Sequence, residues 1–220
     1  FDVDISTAIS DHYLPIGIDS AIPKKPISIA VSIIDKIDTL VGFFGINEKP
    51  SSSKDPFALR RTAIGLLRTI IENKLKIQLK DLINYSIVIY EEQNVKFENT
   101  SVANELLIFL RERFRHLLKD KKIRNDIIDA AVESHTGHDF LVIYKKCSII
   151  NKNISREICR NIIGAYKRAS NIIDQELKDK KEEIKGLPES FLFKKEEEKH
   201  LFDKINEIRK YFSNTKKMES

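Results

Sequence analysis

Apolar residues recur at intervals of three and four along most of the chain, the period of an α-helix that buries one side. The clearest stretch is 26–44, where Ala30, Ile33, Ile34, Ile37, Val41 and Phe44 fall together. Pro26 suits its first turn, because the ring fixes φ near the helical value. Gly45 reads as the stop. A second helix is predicted over 55–73, with Asp55 as N-cap and Pro56 at the first helical position. Phe57, Ala63, Ile64, Leu67, Ile70 and Ile71 make its apolar side. Arg61, Gly65, Arg68 and Glu72 follow one another at helical spacing on the opposite side. A glycine within an exposed helical stripe costs about 1 kcal/mol against alanine, so its presence there points to close packing.

The same period predicts helices over 1–13, 79–92, 101–119, 123–134, 140–150, 156–177 and 194–212. Ser155 is the expected cap of the helix over 156–177. That helix carries an apolar stripe of Ile158, Ile162, Ala165, Ala169 and Ile172, and a polar one of Arg160, Gly164, Lys167 and Asn171. The loops fall at 16–25, the serine-rich 46–54, 94–100 and 151–153. Lys178 to Lys185 is a charge run. Residues 85–90 are the best strand candidate, but helical periodicity fits them better. The chain therefore reads as all-α.

Composition narrows the class. A hydrophobic share of 41% with 32% charged residues belongs to a globular chain, and the few Gly and Pro favour long helices. No apolar run approaches the roughly 20 residues that a membrane helix needs. The opening Phe1-Asp2-Val3-Asp4 is neither an initiator methionine nor a signal peptide, so a fragment is expected. Two cysteines, Cys147 and Cys159, are too few for a disulfide scaffold or a zinc site of their own; a cytoplasmic location follows. The net charge of +5 is uneven. Residues 1–50 hold four lysines against seven carboxylates, a net −3, which leaves +8 for the rest. That excess suits an anionic partner.

Candidate chemistry is sparse. His135 and His138 could chelate on one turn, but the intervening Thr136-Gly137 points to a loop, and a zinc site wants two further ligands. Ser51-Ser52-Ser53-Lys54 lacks the glycines of a phosphate cradle. No nucleophilic triad can be assembled. The basic stripes are more informative, because helical proteins hold folded RNA largely through Lys and Arg contacts to phosphate. Three helices supply candidates: Arg60, Arg61 and Arg68; Arg111 and Arg115, with Lys119; and Arg160, Lys167, Arg168 and Asn171.

Several separated motifs together resemble the beta subunit of bacterial glycyl-tRNA synthetase, the heterotetrameric type. They are His12-Tyr13-Leu14-Pro15, Asp35-Lys36-Ile37-Asp38-Thr39-Leu40-Val41-Gly42, Lys54-Asp55-Pro56-Phe57-Ala58-Leu59-Arg60-Arg61 and Phe109-Leu110-Arg111-Glu112-Arg113-Phe114. Tyr166-Lys167-Arg168-Ala169-Ser170-Asn171-Ile172-Ile173 is similar to the opening of a DALR-type anticodon-binding bundle. The resemblance implies the C-terminal portion of a longer subunit. Residues 1–53 would complete an HD-like helical domain, 54–155 would form a helical connecting domain, and 156–220 would begin the anticodon-binding bundle. It also implies recognition of tRNA(Gly), an alpha-subunit partner in an alpha2beta2 assembly, and catalysis on that partner with ATP and Mg. The chain itself would carry no catalytic residue, metal or cofactor. An active HD site needs converging His and Asp ligands, including an adjacent pair, and His138-Asp139 is the only His-Asp dipeptide. An HD-type metal-dependent phosphohydrolase and a helical scaffold for protein contacts are the alternatives.

Overall fold

The computed structural model describes residues 2–17, 19–134, 139–180, 186 and 188–218. Among them every regular element is helical. The α-helices are α1 (Val3–Asp11), α2 (Pro26–Gly45), α3 (Leu59–Glu72), α4 (Leu79–Glu92), α5 (Val102–Asp120), α6 (Asn125–Glu133), α7 (Phe140–Asn153), α8 (Glu157–Lys180) and α9 (Glu196–Met218). The chain divides into two units, residues 1–159 and 160–220.

In the first unit α2 is the central helix, packed against α1, α3, α4 and α5. Helix α3 also meets α5 and α7, and α6 lies against α5 and α7. Their inward sides form one core that includes Leu40, Leu66, Leu106, Leu110, Phe114 and Phe140. Phe114 and Phe140 meet edge to face, with ring centroids 5.0 Å apart. Burying each such side chain contributes about 1.5–3 kcal/mol. Within α2 the large apolar residues that are buried are Ile33, Ile37, Leu40, Val41 and Phe44, whereas Ile34 is 65% exposed and Ala30 also faces outward.

Helix ends depart from expectation in an ordered way. Four helices, α2 to α5, stop at a residue in the left-handed region: Asn47, Lys74, Asn94 and Lys122. At each end the next N–H turns back five residues, as in Leu75 N to Ile70 O at 2.9 Å and Ile123 N to Leu118 O at 3.1 Å. This pairing satisfies carbonyls that the helix leaves open. Helix α2 does end at Gly45, as expected, but the left-handed residue beyond it is Asn47, so Gly45 is not there for its backbone freedom. It lies under the Phe97 ring, which a Cβ at that position would strike. The predicted loop 151–153 belongs to α7.

Helix α3 begins at Leu59 and not at Pro56. Residues 55–58 form a turn, Ala58 sits at φ 55°, and Asp55 works from outside the helix. Its carboxylate accepts the N–H groups of Leu59 at 2.8 Å and Arg60 at 3.0 Å. The capping function expected of Asp55 is thus present, three residues earlier than the N-cap position.

The irregular stretch between α1 and α2 is held by side chains of α2 and α3. Lys36 Nζ donates to His12 O at 2.9 Å, and Ser32 Oγ to Leu14 O at 2.8 Å. Arg68 donates to Gly17 O at 2.8 Å and Ser20 O at 2.9 Å. Asn73 Nδ2 donates to Pro23 O at 3.1 Å. Five carbonyls with no helix or sheet partner are satisfied this way, which is what lets a non-helical segment lie against a core.

Candidate RNA interface

The three basic stripes fare differently. On α3, Gly65 and Arg68 are buried under the segment just described. A Cβ on Gly65 would lie 3.1 Å from Lys36 Cε and 3.4 Å from Pro15, so the close packing implied by the glycine comes from the chain itself. Arg68 is 7% exposed. Besides the two carbonyls, it forms an ion pair with Glu72, Nε to Oε1 at 2.9 Å. Burial pushes the Glu72 carboxyl up, but the hydrogen bond and charge of Arg68, with Lys121 and Lys24, outweigh it and hold the group below its ordinary value. Four of its five N–H groups donate within the chain, which gives Arg68 a structural role and makes it the weakest of the RNA-contact candidates. The polar side of α3 is covered by the chain at Gly65 and Arg68 rather than open to solvent. Arg60 donates to Ser51 O. Arg61 is exposed and makes no hydrogen bond or ion pair among the described residues.

On α5, Arg115 pairs with Asp129 and reaches Glu133 of α6 at 3.9 Å. Its charge is already opposed by two carboxylates. Arg111 is half-buried and Lys119 exposed.

Helix α8 presents Arg160, Lys167, Arg168 and Asn171 to solvent. None of the four makes a hydrogen bond or ion pair among the described residues. They run along one side of the helix by their spacing. A Cβ on Gly164, between them, would meet nothing within 4 Å. Unlike Gly65, this glycine has no internal contact to explain it. The apolar stripe of α8 is exposed as well, with Ile158, Ile162 and Ile172 at 66%, 62% and 61%.

Other sequence candidates are placed as follows. His12 Nδ1 is 2.6 Å from Ile9 O, and Asp35 lies beside Lys36. Among the described residues no three His, Cys, Asp or Glu side chains converge as a metal-holding group. His135 and His138 lie outside the described residues. Cys147 is buried, and burial raises its thiol above the ordinary value. No described helix is long and apolar enough to cross a membrane. The residue that sequence reading missed is Lys36, only 4% exposed. Burial lowers its ammonium below the ordinary value, partly offset by Asp35. Its place was readable, since Ile33, Ile37 and Leu40 put it on the buried side of α2.

A profile of the family described as glycyl-tRNA synthetase beta subunit matches residues 2–133. The glycine–tRNA ligase beta subunit of Rhodospirillum centenum is 39% identical over 170 residues, 77% of this chain and 23% of that protein. The beta subunit of Rickettsia canadensis is 36% identical over 210 residues, 94% of this chain and 29% of that protein. That of Ruegeria sp. is 34% identical over 190 residues, 86% and 26% of the two chains. The chain spans about a quarter of the length of these curated relatives. With the profile matching more than half of the chain and the relatives covering most of it, the chain belongs to the glycyl-tRNA synthetase beta subunit family.

Proposed function

We propose that this chain is a tRNA-binding portion of a glycine–tRNA ligase beta subunit, acting in the cytoplasm on tRNA(Gly). Residues 156–220 would open the anticodon-binding part. Activation of glycine with ATP and Mg would take place on an alpha subunit in an alpha2beta2 assembly. The observation that carries this reading is the α8 stripe of Arg160, Lys167, Arg168 and Asn171, exposed and without partners among the described residues. Cations in a row can follow phosphates along a strand, and the bare Gly164 allows the strand to come close. Arg61 is a further contact candidate on α3; Arg60, Arg111 and Arg115 remain weaker ones because their side chains are partly covered or paired.

The test is made in the full-length assembly. Lys167→Ala with Arg168→Ala is expected to raise the KM for tRNA and leave glycine-dependent ATP–pyrophosphate exchange nearly intact. Each lost phosphate contact should also flatten the slope of log K against log salt by roughly 0.7 for single-stranded RNA. An unchanged KM and slope would return the stripe to a solvated helix side. Lost exchange in an assembled variant would count against the division of labour between subunits.

A further inference from the structure

The segment that follows α1, the middle of α2 and the first turn of α3 enclose an open groove of about 430 Å3. That lies within the roughly 300–1,000 Å3 of small-ligand pockets. Its walls carry several open polar groups. Asp35 is half-buried and forms no hydrogen bond or ion pair among the described residues; its nearby cation is Lys36. Lys36 is not available to a ligand, because its ammonium already faces His12 O at 2.9 Å, Ser32 Oγ at 2.9 Å and Ser32 O at 3.5 Å. Arg61, unpaired, is the one lining cation open to solvent. The Thr39 and Ser10 hydroxyls also line the groove without partners among the described residues. The Tyr13 ring is 68% exposed at the rim and is backed by the His12 ring, 3.8 Å away between centroids.

A ligand matched to this groove needs an anionic group for Arg61, neutral donors for Asp35 and a planar face for Tyr13. A purely acidic ligand would be repelled by Asp35, and a purely basic one by Arg61. A ribonucleotide has each part: a phosphate, ribose hydroxyls that donate, and a base. RNA-binding proteins commonly hold unstacked bases against aromatic rings and use the 2′-hydroxyl to tell RNA from DNA. The groove is also preformed, because the carbonyl bonds from Lys36 and Ser32 fix the chain on both sides of Tyr13. We propose that this groove holds one ribonucleotide, with its base on Tyr13, its phosphate on Arg61 and a ribose hydroxyl donating to Asp35. The assignment rests on the RNA-binding reading and extends it to a second place in the chain.

The experiment is fluorescence anisotropy of the full 220-residue chain with a labelled short single-stranded RNA, the DNA of the same sequence, and unlabelled AMP, CMP, GMP and UMP as competitors. Tyr13→Ala is expected to weaken RNA binding about tenfold, the size of one stacking contact, and Arg61→Ala to weaken it severalfold and flatten its salt dependence through the lost phosphate contact. Both residues are exposed, so the thermal midpoint should not move. Asp35→Asn should weaken RNA binding and leave DNA binding unchanged. Competition by a mononucleotide would mean that the groove takes a free nucleotide; its absence, with the variant effects intact, would mean a residue within a strand. RNA affinity within twofold of the parent for both Tyr13→Ala and Arg61→Ala would overturn the assignment. Displacement of the RNA by an extended dipolar peptide with the same variant sensitivity would also overturn it and make the groove a peptide site. Lys167→Ala with Arg168→Ala is run alongside. If that pair weakens RNA binding and the groove variants do not, the groove falls and the α8 reading stands; the reverse pattern keeps the groove and removes α8.

Discussion

Arg61 and Arg68 sit two turns apart on one side of α3, and nothing in their local sequence distinguishes them. One is open to solvent and the other is 7% exposed with both arms of its guanidinium in use. What separates them is a segment some fifty residues earlier, whose carbonyls need donors. Residue type and helical side were legible in the sequence; the cover over that side was not, because it is a long-range packing event. Arg68→Lys tests the assignment. A lysine carries a point charge and cannot reach two carbonyls and a carboxylate in the planar geometry of arginine. With at least two charged hydrogen bonds lost, at about 1.5–3 kcal/mol each, a drop of about 3 kcal/mol or more in urea-measured stability is expected. RNA affinity of the folded fraction should be unchanged. A variant that kept its stability and lost RNA binding would put Arg68 on the contact surface.

At the level of the helix, the starts and the ends were encoded differently. Pro26 and Asp55 announced two starts through local chemistry, and both residues do what their types allow, although Asp55 acts three residues early. The ends were harder, since α2 to α5 stop without glycine at the left-handed position. Leu75, Val95 and Ile123 follow three of those positions, and an apolar residue there commonly accompanies this kind of end. Lysine in the left-handed region costs roughly 1–2 kcal/mol relative to the right-handed one, a strain that glycine does not carry. Lys74→Gly and Lys122→Gly should therefore each raise the unfolding free energy read from urea melts, by about 0.5–1 kcal/mol after allowing for the greater freedom of glycine when unfolded. A fall at either site would show that the lysine side chain contributes more than its backbone strain removes.

Taken whole, the described chain keeps its buried apolar residues within 1–147. The helical class followed directly from the period of the pattern. The period did not reveal that the apolar stripe of α8 would stay exposed, because a stripe states only that a side can be covered. Stability should then reside in the first unit. A chain ending at residue 159 is expected to unfold cooperatively with a free energy within about 0.5 kcal/mol of the full chain, since surface changes away from packed features fall in that range. A substantially lower value, read from urea melts of both, would assign residues 160–220 a packing role.

The side-chain bonds to the stretch between α1 and α2 set a limit of another kind, on length. Ordinary surface loops accept extra residues readily, because doubling a loop adds only about 0.6 kcal/mol of closure entropy. Here the carbonyls of His12, Leu14, Gly17, Ser20 and Pro23 are matched to donors whose spacing is set by two rigid helices. One inserted residue would displace everything beyond it by roughly 3.5 Å, more than a hydrogen bond can follow. Exposed side chains of the stretch, such as those of Asp19 and Ala21, can change at little cost, but its residue count is dictated by helices elsewhere in the chain.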